Sequence, residues 1–201
     1  MSIFLSVTFF LSRFFRTFFK AAIFLGRFLL FTKEISFDRA NKQYMTQSEF
    51  KAIDFDCVKE SYYSGLRSND ALIITDFSKG KFLFIEFKNG NIKSELEKEK
   101  IRSKIGESLL IINDILQENL TFDKQNINFI LVYNKDKNQS FEMQRADSIN
   151  KIATLIAGDA KMSYLIDGFS HYKICFHDVK TINEDEFKII TKQLENSSYK
   201  F

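Results

Sequence analysis

Two short apolar runs, Ala71 to Phe77 and Phe82 to Lys88, flank a polar break at Ser78 to Lys81. Neither run shows the 3.6-residue spacing of an amphipathic helix, and both are apolar at most positions, the pattern of strands buried on two faces. The pattern predicts an antiparallel hairpin. Counted back from a turn centred near Lys79, position 86 falls opposite 72 and position 88 opposite 70. Asp70 is thereby expected close to Glu86 and Lys88, with Asp76 stranded at the turn end. Side chains alternate along a strand, so Glu86 and Lys88 project to one face.

After Asn89 and Gly90 the period changes. Ile101, Ile105, Leu109, Ile112 and Leu116 recur at helical steps and predict a long helix from Ser94 to Glu118. Ile127 to Tyr133 reads as a buried strand, Ala146 to Ala157 as a helix closed by Gly158, and Tyr172 to Val179 as a further strand. A last helix starts at Asn183, capped by Asn183 with Glu186. Upstream, Thr46 and Glu49 make a T-x-x-E capping box ahead of apolar positions at Phe50, Ile53 and Cys57. This predicts a helix over 47–63, ending near Gly65 and carrying Glu60 at the edge of its apolar stripe. The order helix, hairpin, helix, strand, helix, strand, helix specifies an α/β domain with a mixed sheet flanked by helices, over residues 34–201.

Residues 1–33 have a different composition and form a separate segment. The longest uncharged run, the first twelve residues, is short of the roughly 18 a spanning helix needs. On a helical wheel Arg13, Arg16, Lys20 and Arg27 share one narrow face and Phe and Leu cover the rest. The expectation is a basic, Phe-rich amphipathic helix that lies on a membrane surface or docks into a partner protein. A transit peptide, translated upstream sequence and a helix folded onto the core are the other readings of this segment.

Composition narrows the classes. The chain has 201 residues, 24 of them Phe, with no Trp and no Pro, so its turns rest on Gly, Asn, Asp and Ser. Its apolar content of 45% excludes a disordered chain. Two cysteines, Cys57 and Cys175, do not make a disulfide framework and suit a reducing, cytoplasmic setting, peripheral to the membrane if residues 1–33 bind one. Residues 1–33 carry +5, so the net +3 of the whole chain leaves −2 on the remainder. Within that remainder, residues 79–104 hold eight bases against four acids. Such a run attracts a polyanion or forms a solvated, salt-bridge-laced helix face.

At this point the residues carry a resemblance. Asp70, fifteen intervening residues and then Glu86-Phe87-Lys88 on an apolar strand, with a Glu60-bearing helix before and a basic amphipathic helix and buried strand after, resembles the PD-(D/E)xK nuclease superfamily over about residues 46–134. The resemblance implies a restriction-endonuclease-like fold and a Mg2+- or Mn2+-dependent nuclease acting on nucleic acid, DNA before RNA. It implies Asp70, Glu86 and the Phe87 carbonyl as metal ligands, Lys88 as the catalytic lysine, and Glu60 as the first-helix acid that some members use. The chain lacks a Pro before Asp70 and shows no first strand of the usual three-stranded meander. Independently, carboxylate oxygens suit magnesium, which polarises a phosphoryl oxygen and activates water, and a lysine beside them stabilises developing charge.

Two alternatives stand beside this reading. One is a non-catalytic nucleic-acid or protein-binding module of the same fold. The other is a zinc site from His171, Lys173, Cys175 and His177 on one strand face with Cys57. No Gly-rich phosphate loop, G-x-S-x-G elbow or H-E-x-x-H motif occurs.

Overall fold

The computed structural model describes residues 20–145, 166 and 168–196. Among them the strands are β1 (Leu29–Phe31), β2 (Phe37–Asp38), β3 (Gln43–Tyr44), β4 (Lys51–Asp54), β5 (Ala71–Asp76), β6 (Lys81–Lys88), β7 (Ile127–Tyr133) and β8 (Asp178–Asn183). The helices used below are α1 (Thr32–Ile35), α2 (Phe55–Tyr62), α3 (Glu95–Leu116), α4 (Leu120–Asn126) and α5 (Glu184–Asn196). Six strands make one sheet in the order β1-β4-β5-β6-β7-β8, while β2 and β3 pair as a separate ribbon. From β1 to β6 neighbours run antiparallel, and β6, β7 and β8 are parallel. The chain is therefore a mixed α/β structure, and α3 is the crossover that a parallel β6–β7 pair requires.

Alternation on the central strands sorts the two faces. Asp70, Leu72 and Ile74 share a parity with each other, as do Phe82, Phe84, Glu86 and Lys88. The apolar members of both sets pack with Ile101, Ile105 and Ile112 of α3. Ile73, Leu83, Ile85 and Phe87 turn to the opposite face, which Phe187 of α5 covers. The Phe87 and Phe187 rings meet edge to face at 5.3 Å. Each fully buried side chain of this size contributes about 1.5–3 kcal/mol, so β6, with six consecutive buried residues, is the best-anchored strand of the sheet.

The hairpin, the α3 helix and β7 lie where the hydrophobic pattern puts them. The register is displaced: Ala71 pairs with Ile85 and Leu72 with Phe84, two residues from the expected alignment, one because Asp76 pairs with Lys81 and centres the turn between Ser78 and Lys79, and one because the ladder slips between Ile74 and Asp76. Continued by one residue, this register sets Asp70 opposite Glu86 rather than Lys88.

Two elements depart from expectation. Residues 47–63 are not one helix: Thr46 Oγ1 accepts from Ser48 N, and Ser48 Oγ accepts from Phe50 N. These local turns hold the chain extended into β4, where Ala52 and Ile53 are buried. The helix starts only at Phe55, capped by Asp54, whose carboxylate accepts from Cys57 N at 3.0 Å. β4 thus supplies the first strand of a β4-β5-β6 meander that the sequence did not display. The expected strand over 172–179 is instead a 3-10 helix, Phe169–Ile174, opened by Gly168 at φ 74°, and the strand begins at Asp178. His171, Lys173, Cys175 and His177 therefore do not share a strand face, and the zinc grouping goes with that face.

Of the expected N-terminal amphipathic helix, residues 1–19 lie outside the described residues, as does the predicted helix over 146–157. Residues 20–25 are helical, with Ala21 and Leu25 in the core. The helix does not continue to residue 33: Gly26–Phe28 is a 3-10 turn and Leu29–Phe31 is β1, paired with β4 at the sheet edge. The pairing satisfies backbone groups that a surface helix would have kept to itself. No helix among the described residues is long and apolar enough to cross a membrane.

Candidate functional site

Asp70 precedes β5, Glu86 sits near the end of β6, and Lys104 comes from α3. The Lys104 ammonium lies between the two acids, donating to Asp70 Oδ1 at 2.8 Å and to Glu86 Oε1 and Oε2 at 2.8 and 3.0 Å. The remaining Asp70 oxygen, Oδ2, accepts from Phe87 N at 2.6 Å. Glu86 is 1% exposed and Asp70 and Lys104 are partly so. Each acid is thereby fixed by a charge-assisted bond, stronger than its neutral counterpart.

The loop that carries Asp70 is held by the same helix. Asn69 N donates to Ser108 Oγ at 2.7 Å, and Arg67 N donates to the Glu107 carboxylate. Ser68 Oγ in turn donates to Asp56 of α2. Three successive positions of the loop are thus tied before β5 begins.

One ammonium and two carboxylates leave a net negative charge in an apolar setting. Burial pushes the Glu86 carboxyl up to about 8, and the Asp70 charge adds to the effect. Burial raises Asp70 too, against the opposing pull of Lys104. For Lys104, burial disfavours the charge, but Glu86 and Asp70 outweigh it and hold the amine protonated. Strongly displaced carboxyls of this kind are concentrated at functional sites.

Asp70 also borders an open cleft of about 400 Å³, whose other walls include Asp38, Asp56, Phe87, Lys88 and Glu97. Glu86 and Lys104 sit behind Asp70 rather than on the cleft lining. Lys88 reaches the cleft but is held by Glu97 Oε2 at 2.8 Å, and the Lys100 ammonium draws on the same carboxylate. The α3 basic run is largely paired within itself, through Lys98 with Glu95 and Arg102 with Glu99.

The structure thus brings Asp70 and Glu86 together, places Lys88 at the same cleft on a different acid, and leaves Glu60 apart. Glu60 is exposed, pairs with Lys59 at 2.6 Å and does not line the cleft. The α2 acid that does line it is Asp56, one helical turn earlier. Lys104 is the residue that sequence reasoning passed over. Its signal was available: it falls three after Ile101 and four before Ser108, inside the buried stripe of α3, where an unpaired lysine is rare.

The donor set suits a hard divalent cation. Carboxylate oxygens of Asp70 and Glu86 converge on one positive centre within 3.0 Å, and Mg2+ is commonly held by one or two carboxylates with the rest of its shell left to substrate phosphate and water. Among the described residues no group of three or more His, Cys, Asp or Glu side chains is arranged to hold a metal, so such an ion would rest on this pair. In comparisons with known proteins, no family model, no curated protein and no solved structure matches the chain.

Proposed function

We propose that the chain is a metal-dependent nuclease of restriction-endonuclease-like fold, hydrolysing phosphodiester bonds at the Asp70 cleft. One observation carries the reading: Asp70, just before β5, and Glu86, on the adjacent β6, converge on a single cationic point beside an open cleft. The mixed sheet, with its β4-β5-β6 meander followed by the α3 crossover and the parallel β7, is of the type this reading requires.

Asp70 and Glu86 would hold Mg2+ or Mn2+, with the Phe87 carbonyl as a further donor. The ion supplies Lewis acidity at the phosphoryl oxygen and a more acidic water. Lys104 aims both carboxyls at one point and opposes, without cancelling, the upward push that burial gives their pKa values. Lys88, on the cleft side, is the cation placed to face a substrate phosphate once Glu97 releases it. Asp56 holds Ser68 and through it the loop that sets Asp70.

A second reading has an observation of its own. The Lys104 ammonium stands where the two acids converge and Glu86 is closed off from the cleft, the arrangement of a structural ion pair in a non-catalytic binding module. Cleavage and metal binding separate the two. Purified protein with Mg2+ or Mn2+ is expected to nick or degrade DNA or RNA, Asp70→Asn to lose at least about 100-fold in rate, and calorimetry to show one Mn2+ site that Asp70→Asn removes. No cleavage and no Mn2+ heat, with nucleic-acid binding intact, would overturn the nuclease in favour of the module.

A further inference from the structure

The ribbon of β2 and β3 stands outside the main sheet and forms one wall of the Asp70 cleft. Phe37 and Tyr44 are paired directly across it, their ring centroids 4.7 Å apart and tilted by 41°. Both rings stay partly in solvent, 37% and 40% exposed. Phe37 lines the cleft that holds Asp70 and Lys88. Tyr44 lines a second groove, about 590 Å³, against α5, and Met45 lines both. The aromatic pair thus stands between the two, Phe37 on the cleft and Tyr44 on the groove.

The platform is held at a set distance from the acids. Asp38 Oδ2 accepts from Asn89 Nδ2 at 3.0 Å, and Asn89 Oδ1 accepts from Asn134 Nδ2 at 2.8 Å. Asn89 directly follows β6, so the ribbon is fastened to the end of the strand that carries Glu86. Lys33 Nζ lies 5.3 Å from the Tyr44 centroid, and Arg39 and Lys42 are exposed in the turn that joins β2 to β3. The second groove is lined by two bases, Lys188 and Lys192, and four acids, Glu49, Glu184, Asp185 and Glu195. Two of those acids are already engaged, Glu184 by Lys135 N and Asp185 by the Lys135 ammonium.

We propose that this ribbon is a base-stacking platform for single-stranded nucleic acid, Phe37 meeting a base beside the scissile phosphate with Tyr44 backing it. The inference rests on the nuclease reading for its orientation towards Asp70. Exposed aromatic rings beside phosphate-attracting cations are the means by which single strands are bound without sequence preference. A base inside a duplex has both faces covered by its neighbours, so the same rings offer a double strand nothing to stack on. Single-stranded substrate is the consequence.

The chain contains no tryptophan, so Phe37→Trp in the full-length protein is a lone fluorescent reporter at the platform. The probes are a short oligothymidylate and a blunt duplex of equal length, with EDTA present to prevent cleavage. Oligothymidylate is expected to quench Phe37→Trp emission, and Phe37→Ala to weaken its binding roughly tenfold or more, with circular dichroism unchanged. The duplex is expected to leave the emission as it was. Unchanged emission at saturating oligothymidylate, wild-type affinity in Phe37→Ala, or equal quenching by the duplex would each overturn the platform. Quenching without cleavage in Mg2+ or Mn2+ supports the platform and overturns the catalytic reading, and cleavage without quenching does the reverse.

Discussion

Lys104 and Glu86 meet at 2.8 Å from different elements, a helix and a strand 18 positions apart in the chain. The contact forms in an interior where neither charge is tolerable alone. It is also what distinguishes this hairpin from any strand that happens to end in Glu, an aromatic and Lys.

Removing the cation should cost stability. Lys104→Met leaves two carboxylates facing each other in an apolar site, and breaking a buried pair in this way costs about 3 kcal/mol, less the part that solvent at the rim of Asp70 screens. Urea denaturation should show a lower midpoint with an unchanged slope. The double variant Lys104→Met with Glu86→Gln should recover much of the loss.

Stability should depend on pH through Glu86. Its carboxyl is raised from 4.5 to about 8 in the folded state, so between those values the folded chain binds more protons than the unfolded one. The sign follows: the contribution is present in full below about pH 4.5 and is lost as pH rises through 8. Thermal melts in EDTA should place the midpoint higher near pH 6 than near pH 8.5. Glu86→Gln should flatten that interval, and a midpoint that climbs with pH across it would contradict the assignment.

The two acids of α2 should behave differently in a cleavage assay. Glu60→Gln, on an exposed residue whose ion pair among the described residues is with Lys59, is expected to leave the rate within about twofold and stability within about 0.5 kcal/mol. Asp56→Asn loosens Ser68 and the Asp70 loop, and a drop of roughly tenfold is expected, as for other groups that orient ligands. Equal effects would mean that the loop does not depend on Asp56.

The Asp38 carboxylate accepts from Ala40 N, Asn41 N, Asn41 Nδ2 and Asn89 Nδ2, and the Asn41 side chain is the largest cause of its lowered pKa. Asp38→Ala should free the ribbon while costing the fold only about 1 kcal/mol. Hydrogen exchange should rise over residues 37–44 and stay unchanged in β6 and β7.

The central strands were legible because burial on both faces leaves an unbroken apolar run, and β7 matches its expected bounds, Ile127 to Tyr133. β4 was not legible. Four residues of strand run straight into α2, so Phe50, Ile53 and Cys57 imitate a helical stripe across two elements, and the hydroxyls of Thr46 and Ser48 make turns where a cap was expected. The register of the hairpin escaped for a related reason, since an irregular ladder between Ile74 and Asp76 changes the count and nothing in the apolar pattern records it. The acids could be read, but their counter-charge could not be placed from spacing: Lys104 belongs to the pair only because α3 crosses over the sheet face that carries Glu86.

That crossover has a consequence for what can be separated from the protein. β6 and β7 are parallel neighbours, so the chain must travel back across the sheet between them, and α3 is the route. The connection that topology obliges the chain to make also delivers Lys104, Ser108 and Glu107 to the acids and their loop. A hairpin cut out over residues 69–90 would keep both carboxylates and the Phe87 N–H that Asp70 accepts from, and lose the ammonium between the acids and the ties on the loop. Grafting the site onto another scaffold therefore means transferring a strand, its return helix and the next strand as one piece.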